Sequence, residues 1–154
     1  MRLLCSILFF SAVVAARAQE QTSDTISHEV KEIFARCRPA VVKIRGVDDH
    51  SEIAGTGFFV DPTGILLTAY SVAGEGSNFT AECNGKRLPA HQLVADVRSG
   101  VAILKVDINS PMLAIGRSSD LEVTAPVVTI GFPLDLPQTP SFGMVAGFDR
   151  KYLG

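Results

Sequence analysis

Between Ala40 and Val106 the sequence breaks into short β-rich runs, each bounded by turn-forming residues, and this spacing limits the fold more than any other feature. The runs are Val41 to Ile44, Gly57 to Val60, Ile65 to Ala69, Phe79 to Cys83, Leu88 to Ala95 and Val101 to Val106. Six strands spaced by about 8–15 residues predict a closed antiparallel barrel or a sandwich. Asp61-Pro62-Thr63-Gly64 is the clearest turn. Pro presets φ at its second position and Gly accepts a left-handed conformation at its fourth, so two apolar strands join there as a tight hairpin. Asn84-Gly85 is a second hairpin signal, directly after Cys83.

Composition supports a packed domain and excludes several classes. The 154 residues are 47% hydrophobic and 19% charged, enough to bury a core and unlike a disordered chain. A formal charge of −2 lacks the basic excess of a nucleic-acid-binding domain. A collagen, a coiled coil and a multispan membrane protein are excluded. Met1-Arg2 followed by the uncharged run Leu3 to Ala16 has the form of an export leader, too short to span a bilayer. Ala16-Arg17-Ala18 supplies small residues at the −3 and −1 positions of a cleavage site. The expectation is a signal peptide over residues 1–18 and a mature chain starting at Gln19, periplasmic or extracellular, with no membrane span after cleavage. An uncleaved membrane anchor is the competing reading. Cys5 lies inside the apolar run rather than at the cleavage point, which argues against a lipoprotein.

Residues 19–39 form the next region. Ile26, Val30, Ile33, Phe34 and Cys37 recur with helical spacing, Ser27 or Asp24 is placed to cap the start, and Pro39 prevents continuation. The polar face mixes His28, Glu29, Lys31, Glu32 and Arg36, which favours a packing helix over a membrane-binding one. Cys37 and Cys83 either form one disulfide in an oxidising compartment or remain separate buried thiols. His28, His50 and His91 are isolated and no CxxC exists, so no zinc site is implied. Asp48, Asp49, His50 and Glu52 read as a solvated loop ahead of a weak divalent-cation site. Asn78-Phe79-Thr80 is a formal glycosylation sequon that matters only in a secretory eukaryotic context.

With the barrel assigned to residues 40–110 and a linker to 111–125, residues 126–154 carry two further runs, Val127 to Gly131 and Met144 to Phe148. Neither has an evident partner strand, which leaves edges and an apolar face to be covered.

Three stretches resemble the trypsin-like serine proteases of the HtrA/Deg type. GTGFFVDPTGILLTAYSVAG, Gly55 to Gly74, resembles that family's Gly-Ser-Gly-Phe strand, Asp-Pro-x-Gly turn and second strand leading to Thr-x-x-His. VADVRSGVAILKVD, Val94 to Asp107, resembles its Asp-x-x-x-Asp-Leu-Ala-Val-Leu-Lys segment, and Leu113 to Arg150 resembles its linker and the entry to its second barrel. The resemblance implies an all-β fold: a trypsin-like double β-barrel, the first barrel complete and the second only begun, preceded by one short helix.

What the resemblance implies for activity differs, because chemistry belongs to the site and not to the fold. In these proteases a His and an Asp from the first barrel meet a Ser from the second, and the His takes the Ser proton while the Asp holds its tautomer. Here Ser71 occupies the position of the His and Gly100 that of the Asp. A hydroxyl does not titrate near neutrality, and glycine has no side chain to orient anything. No Gly-x-Ser-Gly-Gly turn occurs up to Gly154. Arg117-Ser118-Ser119-Asp120 imitates such a turn but falls in the linker, where a surface turn is expected, and His91 reads as a solvent-facing or structural residue rather than a replacement base. The leading expectation is an exported, catalytically inactive or fragmentary homologue with no intact catalytic residue and no cofactor. A pseudoprotease module that binds unfolded polypeptide or a homologous protease chain, through the inter-barrel cleft or by β-augmentation at the exposed strand edges around Val127 and Met144, is the alternative, and a serine endopeptidase with a rearranged site is the third.

Overall fold

The structure, a computed structural model, describes residues 24–48 and 50–148. The expected leader over residues 1–18 and Asp49 of the β-rich region's first loop lie outside the described residues. The chain separates into two compact units, Met1–Ile33 and Phe34–Gly154. Helix α1 covers residues 24–37, in agreement with the apolar spacing, although Asp24 and Ser27 are both already helical and neither stands outside the helix as a cap. A 3-10 turn, Arg38–Ala40, follows, with Pro39 in it. No helix among the described residues is long and apolar enough to cross a membrane.

Six strands follow: β1 (Val41–Val47), β2 (Glu52–Phe59), β3 (Ile65–Ala69), β4 (Ser77–Cys83), β5 (Lys86–Asp96) and β6 (Val101–Val106). They close into an antiparallel barrel in the order β1-β2-β3-β6-β5-β4, with β1 bonded to β2 on one side and β4 on the other. Both turns read from the sequence are present. Val60 N–H donates to Ile65 O across the β2–β3 turn, where Gly64 holds φ at +94°. A Cβ there would fall 2.1 Å from the Val106 carbonyl oxygen, so the position admits no side chain. Asn84 and Gly85, with φ of 50° and 74°, form the two-residue loop between Cys83 and its partner Lys86.

Inward-facing side chains fill the barrel rather than leave a channel. Ile44, Leu66, Ala81, Ala102, Leu104 and Val106 are fully buried, with Val42, Phe59 and Phe79 close to it. Ala81 stands opposite Ile44 and Ala90 opposite Val106, small against larger as a narrow barrel requires. Thr68, a buried polar side chain on β3, donates its hydroxyl to Thr56 O at 2.8 Å. Register shifts between Arg45 and Val47 and between Gln92 and Val94 mark bulges that bend the strands toward closure.

The second sheet corrects the sequence reading in two respects. Strands β7 (Pro126–Gly131) and β8 (Thr139–Met144) pair with one another, from Pro126 opposite Met144 to Gly131 opposite Thr139, so the run Val127 to Gly131 does have a partner. The last strand ends at Met144 instead of beginning there. Pro140 falls within it, and proline is tolerated in a strand where its N side faces away from the paired neighbour. Beyond Met144, Val145 bonds to Ala125 and Thr124.

This hairpin is tied to the barrel by its connecting turn, Pro133–Asp135. Lys43 and Arg45 project from the same face of β1. Lys43 is only 9% exposed; its ammonium lies 2.8 Å from Asp135 Oδ1, donates to Asp135 O at 2.9 Å and sits 5.2 Å from the centre of the Phe132 ring. Arg45 Nη2 donates to both Asp135 carboxylate oxygens at 2.8 Å. Thr56 Oγ1 accepts from Phe132 N–H at 2.9 Å, and Gln138 Nε2 donates to Arg38 O and Val41 O, both at 3.1 Å. Leu134 and Asp135 hold left-handed backbone, φ 51° and 61°, an unfavourable conformation for side-chain-bearing residues that these contacts offset.

Bonds from Lys43 and then Arg45 hold the Asp135 carboxyl below its ordinary range. A lowered carboxyl pKa stabilises the folded chain above the unfolded pKa, and this contribution fades as pH falls through the folded value. Asp135→Asn is therefore expected to lower the urea midpoint at pH 7, with the gap from the unmodified chain narrowing steadily as pH falls below about 4. Parallel midpoints at every pH would show that the clamp contributes nothing.

Candidate functional site

The site suggested by the sequence lies at one rim of the barrel. Strand β3 ends at Ala69 and the chain turns at once into a single helical turn, α2 (Tyr70–Ala73), closed by Gly74 N–H donating to Tyr70 O at 2.6 Å. Ala73 is fully buried, and Val72 lies against Gly55 of β2, where a Cβ would come within 2.4 Å of it. Glycine at 55 thus lets α2 seat on the barrel wall. From β5, Gln92 Nε2 donates to Ala73 O at 2.7 Å and Gly74 O at 3.1 Å, satisfying carbonyls that a one-turn helix leaves open. These contacts orient Ser71 outward, exposed at the rim.

The facing element is the β5–β6 turn. Asp96 accepts from the backbone N–H groups of Arg98 at 3.0 Å and Ser99 at 3.2 Å, and Gly100 N–H donates to Asp96 O at 3.0 Å. Those bonds, the one from Arg98 foremost, hold the Asp96 carboxyl below its usual range. Gly100 takes φ +71°, with nothing within 4 Å of where a Cβ would stand. Its carbonyl accepts from Tyr70 N–H at 2.7 Å. The two turns are stitched together, so the turn bearing Ser71 and the turn bearing Gly100 share the same rim.

A depression of about 160 Å³ on the Ser71 side is lined by Asp48, Tyr70, Ser71 and Glu75 among others. Tyr70 donates its hydroxyl to Glu75 Oε1 at 3.1 Å, which raises the Tyr70 pKa and keeps the phenol protonated. Asp48 is engaged by its own loop: its Oδ1 accepts from His50 N–H at 2.8 Å and Ser51 N–H at 2.7 Å, which lowers its pKa. That oxygen therefore receives the His50 backbone. No group of three or more His, Cys, Asp or Glu side chains among the described residues is arranged to hold a metal ion.

The other residues singled out in the sequence are dispersed. His91 is exposed on β5 opposite Lys105, and the bulge after Gln92 breaks the alternation that left its face ambiguous. His28 lies on α1, 3.9 Å from Glu32. Ser118–Asp120 is an exposed 3-10 turn with Arg117 Nε donating to Asp120 at 3.2 Å, the surface turn expected there. Asn78 is exposed at φ 52°. Cys37 and Cys83 are free thiols, Cys83 buried, and burial pushes its thiol pKa up. Gln92 and the Lys43–Asp135 pair escaped sequence reasoning, since neither belongs to a local motif.

The family model for the trypsin-like peptidase domain matches residues 55–153. This chain belongs to that family. It is 29% identical to a probable periplasmic serine endoprotease, DegP-like, of Halomonas elongata over 85% of this chain and 28% of the relative. It is 31% identical to serine protease HTRA1A of Danio rerio over 81% of this chain and 29% of the relative. The chain thus spans less than a third of the length of these relatives. Among solved structures it is similar to the HtrA-type protease AlgW with tripeptide, at TM-score 0.75 and 24% identity, over 81% of this chain and 42% of that one. A serine endoprotease from Yersinia pestis aligns at TM-score 0.70 and 25% identity, over 77% of this chain and 44% of that one. The fold is therefore the trypsin-like one of HtrA proteases, with a closed first barrel and, among the described residues, a single hairpin of the second.

Gln92 is the side chain that locks the rim turn. Gln92→Ala is expected to destabilise the fold by about 1 kcal/mol, the net worth of a typical hydrogen bond, and to speed amide exchange in Tyr70–Gly74 more than in the barrel strands. Exchange that rises equally throughout would assign Gln92 a global role instead.

Proposed function

We propose that this member of the HtrA-like serine protease family is exported and catalytically inactive, and that it binds extended polypeptide without cleaving it. The observation that carries the reading is the bond from Tyr70 N–H to Gly100 O, which joins the turn carrying Ser71 to the turn carrying Gly100 at the rim. Assigned to the family's His and Asp positions, these residues supply neither a proton acceptor nor a group to orient one. The neighbouring groups do not substitute. The Tyr70 phenol is protonated and paired with Glu75, the Asp96 carboxylate is engaged by the Arg98 and Ser99 amides, and one Asp48 oxygen accepts from the His50 and Ser51 amides. Loss of one key triad member costs on the order of 10⁶ in turnover, and removing the rest costs little more. This holds whatever sequence supplies a nucleophile.

Polypeptide binding is supported by structures of the same fold described as an HtrA-type protease with tripeptide or with decapeptide. The export reading is supported by the leader-like residues 1–18 and by relatives named as periplasmic. Residues 40–110 are taken as the first barrel, 111–125 as linker and 126–154 as the start of the second.

The test uses the chain purified from an exporting host, with fluorogenic peptides, unfolded casein and fluorescently labelled peptide libraries. Saturable binding with no cleavage above buffer is expected. Turnover that scales with protein through purification overturns the inactivity, and inertness toward all the peptides overturns the binding role.

A further inference from the structure

We propose that Glu75 and Asp48 make the depression at the Ser71 rim selective for a cationic side chain, so that this chain favours polypeptide segments bearing lysine or arginine. The inference rests on the polypeptide-binding reading and names the side-chain chemistry that reading leaves open.

The depression lies where a bound polypeptide is expected, because Ser71, assigned to the family's His position, lines it. Its walls divide by chemistry. Ile53 of β2 and Val72 of α2, both half-buried, give apolar surface, while Asp48, Tyr70 and Glu75 give polar groups. Among the described residues no lysine, arginine or histidine lines it. At about 160 Å³ it falls below the roughly 300–1,000 Å³ of small-molecule pockets and suits one side chain.

The hydrogen bonds that position each carboxylate use one oxygen and leave the other open. Asp48 accepts the His50 and Ser51 amides through Oδ1, and Glu75 accepts the Tyr70 hydroxyl through Oε1. Among the described residues, Asp48 Oδ2 and Glu75 Oε2 accept no hydrogen bond and neither carboxylate is ion-paired with a lysine or arginine. The His50 imidazole adds less to the hold on Asp48 than the two amides do. Two negative groups thus face one small depression with acceptor capacity unused. An ammonium or guanidinium head brings donors only, and the methylenes behind it can lie on Ile53 and Val72. A carboxylate side chain meets like charge there and is disfavoured. Exposed ion pairs are individually weak, so the preference is about fivefold rather than absolute, and salt erodes it.

Fluorescence anisotropy of the full purified chain with labelled peptides that differ only in a central Lys, Ala or Glu tests this. The Lys peptide is expected to bind about fivefold more tightly than the Ala peptide, and the Glu peptide more weakly than either. The differences should vanish near 1 M salt, where the screening length is about 3 Å. Glu75→Gln, with its circular dichroism unchanged, should narrow the gap between the Lys and Ala peptides at least twofold. Glu82→Gln, at the other end of β4, should leave the gap intact. In the unmodified chain, amide shifts on adding the Lys peptide should include Tyr70 to Gly76. Equal binding of all three peptides overturns the selectivity and leaves the polypeptide-binding reading standing, whereas binding of none overturns that reading and this inference with it. A Lys preference that leaves the Tyr70 to Gly76 amides unshifted places the selectivity elsewhere and overturns the assignment, even if Glu75→Gln fails to fold.

Discussion

Strand β1 bonds on both sides, to β2 and to β4, and the remaining structure depends on that double pairing. It returns the strand order to its starting point, so the six barrel strands present no edge and their inward side chains form one closed core. Closure demands a sharp coil in β1, which is met at Gly46. The Phe79 ring of β4 lies over that residue, where any Cβ would come within 2.6 Å, and the register slips between Arg45 and Val47. Once the barrel is closed, the end of β3 and the start of β6 lie together, Ala69 opposite Val101. The α2 turn and the Asp96–Gly100 turn therefore share a rim, and the Tyr70–Gly100 bond follows from barrel geometry as well as from local sequence.

The same strand governs the second sheet. Its inward residues, Val42 and Ile44, serve the barrel, and its outward residues, Lys43 and Arg45, serve the hairpin turn through Asp135. A lysine as buried as Lys43 is costly without a partner, and truncating one member of such a pair leaves the other uncompensated. The turn in turn needs that clamp, because Leu134 and Asp135 hold a backbone conformation that side chains disfavour. Cation and turn thus stabilise one another across some ninety residues of sequence.

Much of the barrel was legible in the residues. The runs at Ile65 to Ala69 and Val101 to Val106 match their strands at both ends, and both turn signals form the hairpins they encode, because Pro, Gly and Asn act through local backbone preferences. The error at the last strand has a physical cause. Pro140 lies within the strand with its N side turned from β7, a placement set by the sheet rather than by local sequence. The facing of His91 was illegible because a bulge changes the period of β5 two residues later. Lys43–Asp135 and the Gln92 cap were illegible because partners far apart in sequence carry no shared pattern. The rim positions Ser71 and Gly100 were visible only through the family resemblance, since a serine and a glycine in turns are otherwise unremarkable.

On the proposed reading, Ser71 and Gly100 at that rim leave no serine activated for attack. Intact-mass spectrometry after incubation with a fluorophosphonate, which reacts with serines made nucleophilic by a neighbouring base, tests this most directly. The account predicts that the folded chain stays at its unmodified mass. A single stoichiometric adduct on one serine, formed only in the folded state, would contradict it.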